Sequence, residues 1–263
     1  MVNLRDRVLK RARANDSWVC VGLDPDPTRI ADSSARGIEN FLLDVIEQTS
    51  GRVCAYKPNS AFFEAMGGTG HNLLSRIIRE ARKHAPVILD AKRGDIGNTA
   101  EAYAKWAYDT LDADAITVNP YMGHDAVAPF AREGRGAFVL ARTSNPGAAD
   151  FQAQPMADGR PLFEHVIETA RAYEVPGTLG FVAGATAPTE LARIRELAGP
   201  DVPLLIPGVG AQGGSAQDAI RLGANEAGEH AIINASRSIL YAADPAAACE
   251  KLRAELVAAN KRS

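Results

Sequence analysis

The sequence has no excess of positive charge. Its 29 Lys and Arg residues are outnumbered by 32 Asp and Glu residues, which gives a formal net charge of −3 over 263 residues. Proteins that bind nucleic acid through the phosphate backbone present a basic face or stripe. We therefore expect no nucleic-acid partner.

Cysteine is also scarce. The three cysteines, Cys20, Cys54 and Cys249, have neither the close pairing of a redox motif nor the spacing of a zinc site. Cys20 and Cys54 lie in apolar segments, where a free cysteine behaves as a small hydrophobic residue. Because disulfides are rare in reducing compartments, this pattern favours a cytoplasmic protein.

Long apolar runs are missing. No stretch approaches the roughly 20 apolar residues that a membrane-spanning helix needs. The N-terminal segment MVNLRDR has no hydrophobic core of the kind found in signal peptides. We expect neither a membrane span nor a signal peptide.

The composition that remains is that of an ordinary globular protein, with 46% hydrophobic and 23% charged residues. A chain of 263 residues can form two small domains or one barrel-sized domain, and can bury a full core. No linker, block of like charge or low-complexity tract divides it. We therefore expect a single domain over residues 1–263.

Short apolar segments alternate with segments of helical periodicity along the chain. A short amphipathic helix is predicted over 4–14, and helical spacing recurs between the apolar segments, for example over 38–49 and 73–81. Strands separated by helices form parallel sheets. The apolar segments predict eight strands, at 18–23, 53–56, 87–89, 115–118, 137–141, 179–183, 204–206 and 231–233.

Eight strand–helix units in a chain of this length predict an α/β fold, a single (β/α)8 TIM barrel with a short N-terminal helix. The alternative is an open, doubly wound sheet. Polar residues follow nearly every predicted strand. A barrel gathers all of these strand ends at one mouth, whereas an open sheet uses mainly the ends at its switch point. The distribution of polar residues therefore favours the barrel.

The third predicted strand ends in a dense group of charges. Residues 87–98 read VILDAKRGDIGN, so Asp90 and Lys92 follow the apolar run and Asp95 comes after Gly94. Residues two apart on a strand share a face, and Asp90 and Lys92 should therefore point into the same space. An ammonium flanked by carboxylates stays protonated and can act as a positioned general acid. We interpret this stretch as catalytic rather than as a surface turn with ion pairs.

A glycine-rich segment follows the seventh predicted strand. Residues 208–213, GVGAQG, match the G-x-G-x-x-G pattern of dinucleotide-binding proteins. That pattern belongs after a first strand and needs an acidic residue at the end of the next, whereas this chain has NASR at 234–237. In barrels, the loops after strands seven and eight commonly bind phosphate. We therefore predict a phosphate site here, with Gln212 and Arg237 as side-chain donors.

Other strand ends carry further polar groups. Asp24 ends the first strand, Lys57 ends the second, and Ser144 and Asn145 end the fifth. Each also has a plain alternative, such as a solvated lysine or a carboxylate that caps a turn. The five histidines show no metal-ligand pairing, and no Gly-x-Ser-x-Gly nucleophile elbow occurs. We predict neither a metal nor a cofactor.

Together these motifs resemble the orotidine 5′-phosphate decarboxylase family. The resemblance lies in D-x-K-x-x-D-I-x-x-T over 90–99, KPN at 57–59, LD at 23–24, and PGVGAQ over 207–212 together with Arg237. The matching residues lie at strand ends around the whole predicted barrel. The run over 90–97 looks like that of the bacterial subgroup with longer chains. Metal-dependent sugar-phosphate relatives share D-x-K-x-x-D but carry an acidic ligand at the end of strand two, where this chain has Lys57.

The resemblance implies a carboxy-lyase that converts orotidine 5′-monophosphate to uridine 5′-monophosphate in de novo pyrimidine synthesis. It makes Lys92 the acid that protonates C6 of the pyrimidine as carbon dioxide leaves, with Asp90 against the departing carboxylate. It places Lys57 among the catalytic residues, in contact with ribose and Asp90, and assigns the ribose hydroxyls to Asp24. It assigns the pyrimidine edge to Ser144 and the phosphate to Gln212 and Arg237. The remaining substrate-binding positions are Pro207, Gly208, Val209 and Ser236.

The resemblance also implies a homodimer with shared active sites. Asp95, Ile96 and Thr99 would reach the site of the partner subunit, where Asp95 would take part in catalysis. One departure from the family pattern is the pair AS at 235–236 before Arg237, where we expected a glycine. This departure affects the hydrogen bond that the backbone at these positions would donate to the phosphate.

Three other hypotheses stay open. A metal-dependent sugar-phosphate decarboxylase or aldolase shares the barrel and part of the motif. A lysine-dependent aldolase would form a Schiff base through Lys92, although flanking carboxylates keep that amine protonated. A non-catalytic phosphosugar-binding or nucleotide-binding protein would hold a nucleoside monophosphate without turnover.

Overall fold

Eight parallel strands surround the core in a computed structural model that describes residues 2–210 and 213–260. Their hydrogen-bonded order is β2-β1-β8-β7-β6-β5-β4-β3, so each strand lies beside its neighbour in sequence and β1 lies beside β8. The strands are β1 Val19–Gly22, β2 Ala55–Lys57, β3 Ile88–Arg93, β4 Ala115–Val118, β5 Gly136–Arg142, β6 Thr178–Ala183, β7 Leu204–Ile206 and β8 Ala231–Ala235.

The barrel closes between β2 and β3. Isolated parallel bridges join Tyr56 to Val87 and Asn59 to Asp90, and Asp90 N–H donates to the carbonyl of Pro58 at 2.9 Å. A sheet that begins and ends on neighbouring strands has no free edge. The predicted (β/α)8 barrel is confirmed.

Helices surround the strands, each burying one apolar face. Helix α2, for example, buries Ile38, Leu42, Val45 and Ile46 at helical spacing, and Ser34 caps it by accepting from Gly37 N–H. The helices are α1 Leu4–Asn15, α2 Ala35–Thr49, α3 Ser60–Glu64, α4 Gly67–Ala81, α5 Gly97–Lys105, α6 His124–Val127, α7 Leu162–Arg171, α8 Pro188–Ala198, α9 Ala216–Gly223, α10 Arg237–Leu240 and α11 Pro245–Asn260.

Helix α1 covers the bottom of the barrel. Its buried residues Leu4, Val8 and Ala12 belong to the same apolar cluster as inward-facing strand residues such as Ile88 and Leu205. The barrel is therefore packed from below, and its polar groups collect at the opposite, C-terminal mouth.

Two segments depart from the regular strand–helix alternation. Helix α5 passes directly into a π-helix, Trp106–Thr110. The segment after β5 contains a short 3-10 helix, Pro146–Asp150. Within residues 2–210 and 213–260, none of the helices is long and apolar enough to cross a membrane.

Candidate active site

A cavity of about 690 Å³ opens at the C-terminal mouth of the barrel. Residues from β2 to β8 form much of its wall, and the loops after β1, β2, β5 and β8 supply further polar groups. Ten of the residues predicted from the sequence line it: Asp24, Lys57, Asp90, Lys92, Ser144, Pro207, Gly208, Val209, Ser236 and Arg237. The barrel thus brings together groups that lie more than 200 positions apart in the chain.

Asp90 joins two lysines at the centre of the cavity. Its Oδ2 accepts from Lys57 Nζ at 2.9 Å, and its Oδ1 accepts from Lys92 Nζ at 2.6 Å. Lys57 is only 4% exposed and Asp90 is 9% exposed, whereas the Lys92 side chain is 47% exposed. The three groups carry a net charge of +1, and the exposed ammonium faces the cavity where a ligand would sit.

Burial and ion pairing act in opposite directions on this group. Burial by itself raises the pKa of Asp90, but the ammonium groups of Lys57 and Lys92 hold that pKa well below its ordinary value. Burial lowers the pKa of Lys57, and the charges of Asp90 and Asp24 outweigh it, so the pKa is raised. Asp90 and Lys57 are therefore both ionised at neutral pH.

The backbone that carries Lys92 departs from a regular strand. The pairing of β3 with β4 goes from Leu89–Ile116 directly to Arg93–Val118, so residues 90–92 bulge opposite Thr117. Lys92 itself has φ +46°, a left-handed conformation that is uncommon outside glycine. Such conformations cluster at functional sites because the surrounding structure must hold them in place.

The first strand end is held by a tyrosine that the sequence did not indicate. Tyr241 Oη donates to the carbonyl of Asp24 at 3.0 Å and accepts from Asp26 N–H at 2.6 Å. The guanidinium of Arg29 lies 3.9 Å from the centre of the tyrosine ring. The Asp24 carboxylate in turn accepts from Asn59 N–H at 3.0 Å, so its orientation at the cavity wall is fixed.

The end of β5 is tied to the loop that follows it. Gln152 Oε1 accepts from Thr143 N–H at 2.7 Å, and Gln152 Nε2 donates to Thr143 Oγ1 at 2.9 Å. Gln152, Ser144 and Asn145 all line the cavity. This strand end therefore presents several hydrogen-bonding groups next to one another, as the sequence predicted for Ser144 and Asn145.

The glycine segment after β7 forms a closed turn. The N–H groups of Gly210, Gly213 and Gly214 donate to carbonyls within the turn, at 3.1, 2.8 and 3.0 Å. These three N–H groups are therefore used within the turn itself. Gln212, one of the two predicted side-chain donors, lies outside the described residues.

The other predicted donor, Arg237, is exposed at the start of α10 and lines the cavity. Beside it, Ser236 Oγ is buried and has no hydrogen-bond partner in the part of the chain that the structure describes. A buried hydroxyl without a partner is costly, and a bound anion would supply one. Ser236 belongs to the pair AS at 235–236 where we expected a glycine, and it lines the cavity together with Arg237.

Asp95, Ile96 and Thr99 do not line this cavity. Asp95 Oδ1 accepts from Ile96 N–H at 2.8 Å, and Ile96 and Thr99 are exposed at the start of α5. The second carboxylate that the sequence placed beside Lys92 is therefore not found there within one chain.

Residues that sequence reasoning did not identify complete the cavity wall. They include Asn59, Thr117, Gln152, Asn234 and Tyr241. Asn59 stands in the KPN motif and Asn234 begins the segment NASR after the last predicted strand, so both were available as signals, but Thr117 lies inside an apolar strand where nothing marks it. Asn234 is 7% exposed, and its Oδ1 has no hydrogen-bond partner among residues 2–210 and 213–260. Across the same residues, no group of three or more His, Cys, Asp or Glu side chains is arranged to hold a metal ion.

Comparison with known proteins connects this geometry to one family. A model of the orotidine 5′-phosphate decarboxylase / HUMPS family matches residues 17–252. A protein named orotidine 5′-phosphate decarboxylase from Roseiflexus sp. (strain RS-1) is 50% identical over 246 residues, covering 92% of this chain and 90% of that protein. A second, from Herpetosiphon aurantiacus, is 47% identical over 247 residues, covering 92% and 91%.

Solved structures show similarity to the same family. The structure of Leishmania donovani OMP decarboxylase superposes with a TM-score of 0.90 at 41% identity and covers both chains completely. Leishmania donovani UMP synthase gives a TM-score of 0.92 at 43% identity, and there the match covers 99% of this chain but 57% of the longer one. By sequence and by structure, the chain belongs to the orotidine 5′-phosphate decarboxylase / HUMPS family.

Proposed function

We propose that this protein is a carboxy-lyase that decarboxylates orotidine 5′-monophosphate to uridine 5′-monophosphate, a step of de novo pyrimidine synthesis. The observation that carries the proposal is the Lys57–Asp90–Lys92 array in the cavity of a chain whose close relatives bear that enzyme's name. The metal-dependent sugar-phosphate relatives that share part of the motif carry an acidic residue at the end of β2. This chain has Lys57 there.

The reaction requires stabilisation of negative charge at one carbon. The bond from C6 to the carboxyl group breaks, its electron pair stays on C6, a proton from Lys92 Nζ moves to C6, and carbon dioxide leaves. A fixed ammonium next to the developing carbanion lowers the barrier without reorganising. Asp90 holds Lys92 from one side at 2.6 Å and places its own negative charge near the departing carboxylate.

The distant parts of the substrate bind at other strand ends. We assign the ribose hydroxyls to Asp24 and Lys57 and the pyrimidine edge to Ser144, and all three residues line the cavity. Arg237 binds the phosphate, since guanidinium matches phosphate geometry with paired hydrogen bonds. Binding energy from the phosphate, which does not react, then contributes to the transition state at C6.

We further propose that the enzyme is a homodimer with shared active sites. Ile96, Tyr121 and Met122 are 54%, 90% and 45% exposed, which is unusual for large apolar side chains. A twofold contact would bury the same patch on both subunits. It would also bring Asp95, Ile96 and Thr99 of each subunit to its partner's cavity.

Two further properties complete the proposal. Residues 1–263 constitute one domain, because the strands of a single barrel run from β1 near the N-terminus to β8 near the C-terminus. The protein is cytoplasmic, which agrees with three buried cysteines that form no disulfide.

The test is turnover of orotidine 5′-monophosphate by the purified protein, followed by loss of the substrate absorbance and by release of carbon dioxide. We expect one carbon dioxide and one uridine 5′-monophosphate for each substrate consumed. Tight binding without turnover would make the protein a binding module. Covalent trapping of Lys92 by borohydride in the presence of substrate would instead support a Schiff-base aldolase.

A further inference from the structure

A threonine hydroxyl lies between the two groups that the proposed reaction depends on most. Thr117, on β4, is 1% exposed. Its Oγ1 donates to Asp90 Oδ1 at 2.9 Å and accepts from the backbone N–H of Lys92 at 2.9 Å. A hydroxyl has one proton to donate, so these two bonds fix its orientation completely.

The two bonds connect both ends of Lys92. Its backbone N–H reaches Asp90 through Thr117, and its side-chain Nζ reaches the same carboxylate oxygen directly at 2.6 Å. The main chain, the hydroxyl, the carboxylate and the ammonium therefore form a closed hydrogen-bonded ring. Within this ring, the position of the Lys92 ammonium depends on where Thr117 holds the backbone and the carboxylate.

The backbone needs this support because the strand ladder is interrupted here. Residues 90–92 bulge out between the pairs Leu89–Ile116 and Arg93–Val118, and Thr117 is the one residue of β4 opposite them. Lys92 has φ +46°, which an L-residue adopts only when its surroundings enforce it. The side chain of Thr117 thus supplies the partner that a backbone carbonyl supplies in a regular strand.

We propose that Thr117 is a positioning residue, which holds Lys92 and Asp90 in the geometry that proton transfer to C6 requires. The inference rests on the proposed decarboxylase function for its kinetic consequences. Small displacements of a catalytic group lower the rate of the chemical step, whereas binding of distant parts of the substrate is unaffected. Thr117 lies at the wall near Asp90, and the predicted phosphate contacts are on other strands.

The experiment compares Thr117→Val with Thr117→Ser. Valine keeps the shape and removes the hydroxyl, so kcat should fall about 10- to 100-fold, the range that one hydrogen bond to a charged group represents, while KM changes little. Serine keeps the hydroxyl and should retain most of the wild-type kcat. Thr49→Val is the matched control, because Thr49 is equally buried and its hydroxyl bonds Val45 and Tyr56 outside the cavity. It should lower stability and leave kcat unchanged.

A second measurement does not depend on activity. Hydrogen exchange of the Lys92 amide should be faster in Thr117→Val than in the wild type or in Thr117→Ser, because its acceptor is gone. A wild-type protein without decarboxylase activity would reject the proposed function, and the exchange rates would still test the role of Thr117. Unchanged kcat in Thr117→Val, equal losses in the valine and serine variants, or unchanged exchange at Lys92 would overturn the inference.

Discussion

Replacing Asp90 by asparagine separates the structural from the chemical part of the lysine–carboxylate array. Asparagine keeps the shape of the side chain but removes the charge that lies between Lys57 and Lys92. The buried ammonium of Lys57, 4% exposed, then loses its ion pair and faces a second ammonium. Replacing Lys92 by alanine leaves no buried charge unpaired. The Lys57–Asp90 pair stays intact and neutral, and the side chain that is removed is 47% exposed.

The expected magnitudes differ accordingly. Breaking a buried ion pair by removing one partner costs about 3–5 kcal/mol of unfolding free energy. We expect a loss at the lower end of this range, because the amide oxygen of the new asparagine still accepts a hydrogen bond from Lys57 and the charge of Asp24 still acts on Lys57. For a chain of this size, about 3 kcal/mol corresponds to a Tm lower by roughly 6–12 °C. Lys92→Ala should change the unfolding free energy by less than about 1 kcal/mol, because its ion pair is partly exposed.

Thermal and urea unfolding of the two variants and the wild type measures these differences. The double variant Lys57→Met, Asp90→Asn provides the control, since it removes the unpaired buried charge and should regain most of the stability lost in Asp90→Asn. An Asp90→Asn protein as stable as the wild type would refute the reasoning. So would a Lys92→Ala protein that loses more stability than Asp90→Asn.

Four other predictions follow from the same site. Decarboxylase activity should survive exhaustive chelation with EDTA, since Lys57 stands where metal-dependent relatives need a carboxylate; a loss that Mg²⁺ restores would contradict this. Arg237→Ala should raise KM strongly for the phosphorylated substrate and barely change the binding of a phosphate-free nucleoside, and equal losses for both would place the phosphate elsewhere. Mixing inactive Lys92→Ala and Asp95→Ala subunits should restore roughly a quarter of wild-type activity if each site is shared across a twofold dimer, and no recovery in heterodimers confirmed by native mass spectrometry would reject sharing. Burial raises the pKa of Asp90 and the two ammonium groups lower it, and the net result is a lowered pKa. The ionised Asp90 carboxylate should therefore contribute its full stabilisation above the unfolded-state pKa of about 4, and this contribution should be lost as the pH falls below that value. In acid unfolding curves, the free energy of unfolding should decrease less for Asp90→Asn than for the wild type.

The sequence predicted the barrel because the evidence for it is local and repeated. Most predicted strands are short apolar runs with polar residues close after them, and β4 and β7 were located at the bounds that the structure has. The same pattern placed Lys57, Asp90 and Lys92 at strand ends, and the barrel brought those ends together. The resemblance supplied the roles of these residues, which spacing alone does not give.

What the sequence did not reveal depends on contacts between strands. Thr117 reads as one more β-branched residue in an apolar strand, and its importance follows from the bulge in β3 that only the pairing with β4 shows. The closed turn around Gly210 likewise uses its own N–H groups, which the G-x-G-x-x-G pattern does not indicate. Asp95 lies outside the cavity although it follows Lys92 by three residues, and the spacing of the charges does not reveal this.

The measurement that tests the central claim most directly is turnover of orotidine 5′-monophosphate by the wild type and by Lys92→Ala at equal concentration of folded protein. If Lys92 donates the proton to C6, the wild type should consume the substrate. Lys92→Ala should be slower by many orders of magnitude, with an unchanged circular dichroism spectrum and a Tm within about 4 °C of the wild-type value. Near-normal turnover by a well-folded Lys92→Ala protein would contradict the account.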